Sequence, residues 1–82
     1  MLERESFEID KIYVPVKRRR DLDDARVAAL AEDILENGQK TPIRVRADGD
    51  RLVLVEGLHR LEACRSLGET MITGFLVHAA LK

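Results

Sequence analysis

Five consecutive residues, Glu56-Gly57-Leu58-His59-Arg60, bring a carboxylate, a glycine and two basic side chains together where an apolar run ends. Val53, Leu54 and Val55 precede them as a buried strand, and Leu61, Cys64 and Leu67 follow at helical spacing. A strand that turns through a glycine straight into a helix leaves the first helical N–H groups, here those of residues 58–60, without intrahelical acceptors. The positive end of the helix dipole lies in the same place, which suits a phosphate. Gly57 would let such a ligand approach the backbone closely. His59 and Arg60 stand in the first turn, where the dipole disfavours cations, and an anion in front of them would remove the conflict. Alternatively, Gly57 is only a turn and both basic side chains are solvated. Glu56, at the mouth of the junction, could orient a nucleophile for phosphoryl transfer, or be a solvated strand end.

The second cluster is Lys17-Arg18-Arg19-Arg20. Four adjacent cations repel one another unless solvated or paired with anions. They could close over phosphates or touch a nucleic-acid backbone. They could equally form a solvated loop neutralised by Asp21, Asp23 and Asp24. Arg26, another cation in the first turn of a helix, is explained either by a bound anion or by Asp23 or Asp24. Cys64, the only cysteine, falls on the apolar side of its helix and reads as core, not nucleophile. One cysteine allows neither an intramolecular disulfide nor a cysteine metal cluster. His59 and His78 lack metal-ligand spacing, so no metal is expected from protein ligands alone. There is neither a Walker loop nor a nucleophile elbow.

The elements that must position these residues can be read in outline. Residues 1–5 and 79–82 are polar or terminal and expected to fray. Phe7, Ile9, Ile12, Tyr13 and Val14 predict one or two short strands with a break near Asp10-Lys11, and Val14 precedes Pro15, which favours extended backbone. Residues 15–20 show no helical period and predict a basic loop. Asp21 or Asp23 can cap a helix carrying Val27, Leu30, Ala31, Ile34 and Leu35 on one side and ending at Asn37-Gly38. Residues 43–46 alternate apolar and basic, residues 47–50 signal a hairpin, and the apolar run 52–55 predicts a central strand. The second helix stops at Gly68, and residues 71–77, interrupted by Gly74, form a last strand.

Eighty-two residues make one domain, expected to bury roughly 60–65% of its unfolded surface. With 45% hydrophobic and 35% charged residues, the chain suits a soluble globular protein. A net charge of −1 excludes a general polyanion binder, so any nucleic-acid contact must use a local patch. No run approaches the roughly 18 apolar residues of a membrane span, and residues 1–8 lack an apolar signal core, so a cytoplasmic location without membrane contact is expected.

At Gly57-Leu58-His59-Arg60, with Ala63 beyond, the chain resembles the ParB/sulfiredoxin superfamily. ParB-like domains carry a Gly-x-Arg-Arg-x-x-Ala box, and sulfiredoxins a Gly-Cys-His-Arg box. Val14-Pro15 and the following arginines resemble the family's first box. Residues 34–38 and Thr41-Pro42-Ile43-Arg44-Val45 resemble its helix-Gly-x-x-x-Pro-Ile-x-Val stretch. Leu67-Gly68 and the last strand also correspond, so the resemblance spans about residues 7–77.

The resemblance implies an α+β fold: a small mixed sheet with two main helices in helix-hairpin-helix-strand order. It implies that Gly57, Leu58, His59 and Arg60 contact nucleotide phosphates. Arg26 would assist, and Arg18 or Arg19 would serve as the first-box arginine. The ligand would be a nucleoside triphosphate, CTP or ATP, with Mg²⁺. Plasmid or chromosome partition, or a related regulatory task, is the leading expectation. A nucleotide-dependent enzyme (NTPase, kinase or nuclease) with Glu56 as its carboxylate is the second. A nucleotide-free dimerisation or protein-binding module is the third. Leu58 stands where sulfiredoxins place their nucleophilic cysteine, so sulfiredoxin activity is not expected. The DNA-reading helices of ParB proteins do not occur in these residues. DNA contact, if any, is expected to be weak, non-specific and carried by Lys17, Arg18, Arg19 and Arg20. A homodimer or a partition-system protein is a further expected partner.

Overall fold

The computed structural model describes residues 3–78. Strand β1 (Arg4–Glu8) leads through a 3-10 turn, Ile9–Lys11, into the short β2 (Ile12–Tyr13). Helices α1 (Val16–Arg19) and α2 (Asp24–Asn37) follow, then β3 (Ile43–Asp48), β4 (Arg51–Glu56), α3 (Leu58–Ser66) and β5 (Met71–Val77). The five strands form one mixed sheet in the order β1-β5-β3-β4-β2. β1–β5 and β3–β4 are antiparallel, whereas β3–β5 and β2–β4 are parallel. This is the α+β mixed sheet that the resemblance implied. β4 lies inside the sheet, between β3 and β2, as its apolar run predicted.

One face of the sheet carries the core. Ile43 and Val45 of β3, Leu54 of β4, Ile72 of β5 and Phe7 of β1 pack with Leu58, Leu61 and Cys64 of α3. Ile43, Val45 and Leu61 are fully buried. Burial of each such side chain stabilises the fold by about 1.5–3 kcal/mol. Ile43 fills two places where a side chain is missing. A Cβ on Gly57 would stand 2.6 Å from Ile43 Cγ2, and one on Gly74 would stand 2.9 Å from Ile43 Cγ1. The interruption of β5 by Gly74 is therefore a packing requirement. α2 lies further out, chiefly against α3, and buries no residue completely.

Three expectations need correction. Residues 4 and 5 belong to a strand: Arg4 and Glu5 pair with Phe75 and Gly74 across the β1–β5 ladder. Met1, Leu2 and residues 79–82 lie outside the described residues. The segment 15–20 is not a loop throughout. Pro15 C=O accepts from Arg18 N–H at 2.9 Å and Arg19 N–H at 3.3 Å, closing a single helical turn. The fixed φ of proline suits a helix start. A turn whose residues are all exposed leaves no apolar period to read. Finally, Leu35 is 74% exposed and does not face the core, whereas Ile34 packs against it.

Candidate anion-binding cleft

The two longer helices start differently. α2 is capped by its own Asp23, whose Oδ1 accepts from Ala25 N–H at 3.0 Å and Arg26 N–H at 3.4 Å. α3 has no side-chain cap. Gly57 stands at its N-cap position with φ 109° and ψ 32°, and the first intrahelical bond runs from Leu61 N–H to Gly57 C=O at 2.9 Å. The N–H groups of Leu58, His59 and Arg60 thus have no acceptor within the helix.

The two helix starts border a cleft of about 330 Å³, within the usual size range of ligand pockets. Glu56, Gly57, Leu58, His59 and Arg60 line one wall. Arg18, Asp21, Arg26 and Leu30 line the other. The residues singled out at the strand–helix junction and two of the other arginines thus meet at one place. Lys17, Arg19 and Arg20 do not line the cleft, so of the two first-box candidates it is Arg18 that faces it. Asp21 and Leu30 were not singled out as site residues. Leu30 lies four residues after Arg26, one helical turn on, and that spacing could have found it. Asp21 sits in the turn between α1 and α2, where no periodicity applies.

The charges in the cleft are unevenly matched. Among the described residues, no carboxylate lies within ion-pair distance of Arg18, Arg26 or Arg60. Among the described residues, Asp21, Asp23 and Asp24 form no ion pair with the basic run, although Asp21 shares the cleft lining with Arg18. Asp23 is occupied with capping α2. Glu56 pairs instead with Arg44 of the neighbouring strand at 3.5 Å, with both side chains more than half exposed. Such a pair adds little stability.

His59 and Gly57 each make a contact that the sequence did not indicate. His59 Nε2 accepts a hydrogen bond from Asp23 N–H at 3.0 Å. A ring nitrogen that accepts carries no proton, so the ring is neutral in this arrangement. The vacancy at Gly57 is filled by Ile43 and not by open space. Leu58 is 7% exposed and its side chain belongs to the core, so only its backbone N–H is suited to an anion. Cys64 is buried. Burial pushes its thiol above the ordinary value, Glu69 adds to the rise, and Arg60 opposes it. His78 borders a separate groove with Arg46, Val53 and Val77. No group of three or more potential metal ligands occurs among the described residues.

Solved structures share this fold. Sulfiredoxin from Arabidopsis thaliana matches with a TM-score of 0.84 and 27% identity, over 94% of this chain and 86% of that one. The C-terminally truncated chromosome-partitioning protein ParB from Caulobacter crescentus, complexed with CTP-gamma-S, matches with a TM-score of 0.76 and 23% identity. That match covers 98% of this chain and 46% of the partition protein. A free serine kinase in complex with ADP matches with a TM-score of 0.78 and 18% identity, over 90% of this chain and 30% of the kinase. No curated protein matches the chain in sequence. The family profile of the ParB N-terminal domain matches residues 3–81, so the chain belongs to the ParB N-terminal domain family.

Proposed function

We propose that this chain is a nucleotide-binding domain that takes CTP or ATP by its phosphates, in partition of a plasmid or chromosome or in a related regulatory task. One observation carries the reading: Arg18, Arg26 and Arg60 line one cleft at an uncapped helix start, and no carboxylate among the described residues is paired to them. Three guanidinium groups outnumber the two carboxylates in the same lining, Asp21 and Glu56, and are stabilised by an anion of several charges, which a triphosphate supplies. The ligands named for two structural neighbours, CTP-gamma-S and ADP, are of this class. Mg²⁺ commonly binds through one or two carboxylates together with substrate phosphates. Asp21 and Glu56, the two carboxylates of the cleft, suit a metal delivered with the nucleotide.

A thermal-shift panel of CTP, ATP, GTP and ADP with Mg²⁺ tests the reading. A ligand of the folded state at ten times its Kd adds about 1.4 kcal/mol, or roughly 6–11 °C in Tm for a domain of this size. At least one triphosphate should shift the transition by that order; no shift with any of them would refute the reading.

A second reading, nucleotide hydrolysis or phosphoryl transfer, draws support from the position of Glu56 on the cleft wall. A carboxylate there can orient a water or hydroxyl nucleophile. Steady phosphate release that disappears in Glu56→Gln, with nucleotide affinity retained, would establish it. Equal release by both proteins would exclude Glu56 from that role.

A further inference from the structure

We infer that His59 is a positioning residue and not a phosphate ligand: through Nε2 it ties the start of α2 to the start of α3, and so sets Arg26 and Arg60 beside one anion. The inference rests on the reading of the cleft as a phosphate site.

The argument begins with the cap of α2. Asp23 is its N-cap residue, and its side chain satisfies the N–H groups of Ala25 and Arg26. The backbone N–H of Asp23 itself still needs an acceptor. In a capping box, a Glu or Gln at the third helical position reaches back to supply one. Here that position is Arg26, and a guanidinium has no acceptor atom. His59, thirty-six residues away and on another helix, takes over the task at 3.0 Å. Two consequences follow. Position 26 is released from capping and carries a cation that lines the cleft. The acceptor that replaces it belongs to the residue immediately before Arg60, so one hydrogen bond joins the segments bearing the two arginines.

The tie matters because it fixes the N-terminal end of α2, whereas the packing of the helix lies along its length, with Ile34 against the core. The helix buries no residue completely and rests chiefly on α3. An acceptor at Nε2 leaves the ring proton on Nδ1, and the neutral ring brings no charge to a phosphate. The positive charge on the α3 side of the cleft is therefore that of Arg60.

The two roles predict opposite effects of substitution. His59→Arg supplies a cation but removes the acceptor. His59→Gln removes the aromatic ring but keeps an acceptor oxygen. The test combines triphosphate titration of the wild type and both variants with NMR measurement of amide exchange at Asp23 in nucleotide-free protein. The wild type and His59→Gln should bind the triphosphate within about threefold of each other, and His59→Arg at least roughly tenfold more weakly. The Asp23 amide should exchange slowly in the first two proteins and about tenfold faster in His59→Arg. Binding by His59→Arg that equals or exceeds the wild type, with loss in His59→Gln, would overturn the inference and make His59 a phosphate ligand. If no nucleotide binds the wild type, the reading of the cleft fails separately. Amide exchange then decides the tie alone, and equal protection of Asp23 in all three proteins would disprove it.

Discussion

Individual side chains decide what this cleft can hold. Asp23 is used twice, by its carboxylate as a cap and by its N–H as the donor to His59. Asp23→Ala removes the cap, and chemical denaturation should show a loss of about 0.5–2 kcal/mol. Because the N–H to His59 survives this change, triphosphate affinity should fall far less than with Arg26→Ala. Cys64 provides a second check at this scale. Its thiol is buried and held above the ordinary value, first by burial and then by Glu69, against Arg60. At neutral pH the reactive thiolate is therefore scarcer than in an unfolded chain. Labelling by a thiol reagent should be slow in native protein, fast in denaturant, and quicker in the native state only as pH rises through the elevated value. Rapid native labelling at neutral pH would contradict that placement.

The secondary-structure elements show what could be read from residue order and what could not. β3, β4, β5, α2 and α3 were legible because each carries an apolar period, a turn signal or a glycine stop over several residues. α1 was not, since a single exposed turn has no buried side to mark it. The start of β1 was missed because Arg4 and Glu5 are polar; they join the sheet through backbone pairing with β5. The strand–glycine–helix junction was recognisable, but the side chain that Gly57 must accommodate was not. The approach it permits is that of Ile43, which becomes its neighbour only through the fold. The tie from His59 to Asp23 was invisible for the same reason, since nothing local joins positions thirty-six residues apart. Gly57→Ala meets both the left-handed backbone and the contact with Ile43. It should destabilise the fold by about 2–4 kcal/mol in denaturant titration. In Gly57→Ala/Ile43→Ala, the loss should fall short of the sum of the two single losses, because alanine lacks the Cγ2 that meets the new Cβ at 2.6 Å, whereas the backbone strain remains. A loss in the double variant equal to the sum of the two single losses would show that the contact is unimportant.

For the whole molecule, the distribution of charge counts for more than its sum. The net charge is −1, yet Lys17, Arg18, Arg19 and Arg20 are exposed together on and beside α1. No helix of the described residues is long and apolar enough to cross a membrane. Any DNA binding by this chain should come from that basic patch, be indifferent to sequence and weaken steeply with salt, since it works by neutralising phosphates. Neutralising Lys17, Arg19 and Arg20 while keeping Arg18 should abolish it and leave nucleotide affinity nearly unchanged. Only Arg18 of the four lines the cleft. A salt-resistant complex with one DNA sequence would contradict this division of labour. The central claim, that the cleft holds a nucleotide by its phosphates, is tested most directly by calorimetric titration of CTP and ATP with Mg²⁺ into the wild type and Arg60→Ala. One of the two should bind the wild type at a single site, and the variant should bind it about 1.5–3 kcal/mol more weakly, roughly ten- to a hundredfold. Absence of binding to the wild type, or equal affinity in the two proteins, would contradict the account.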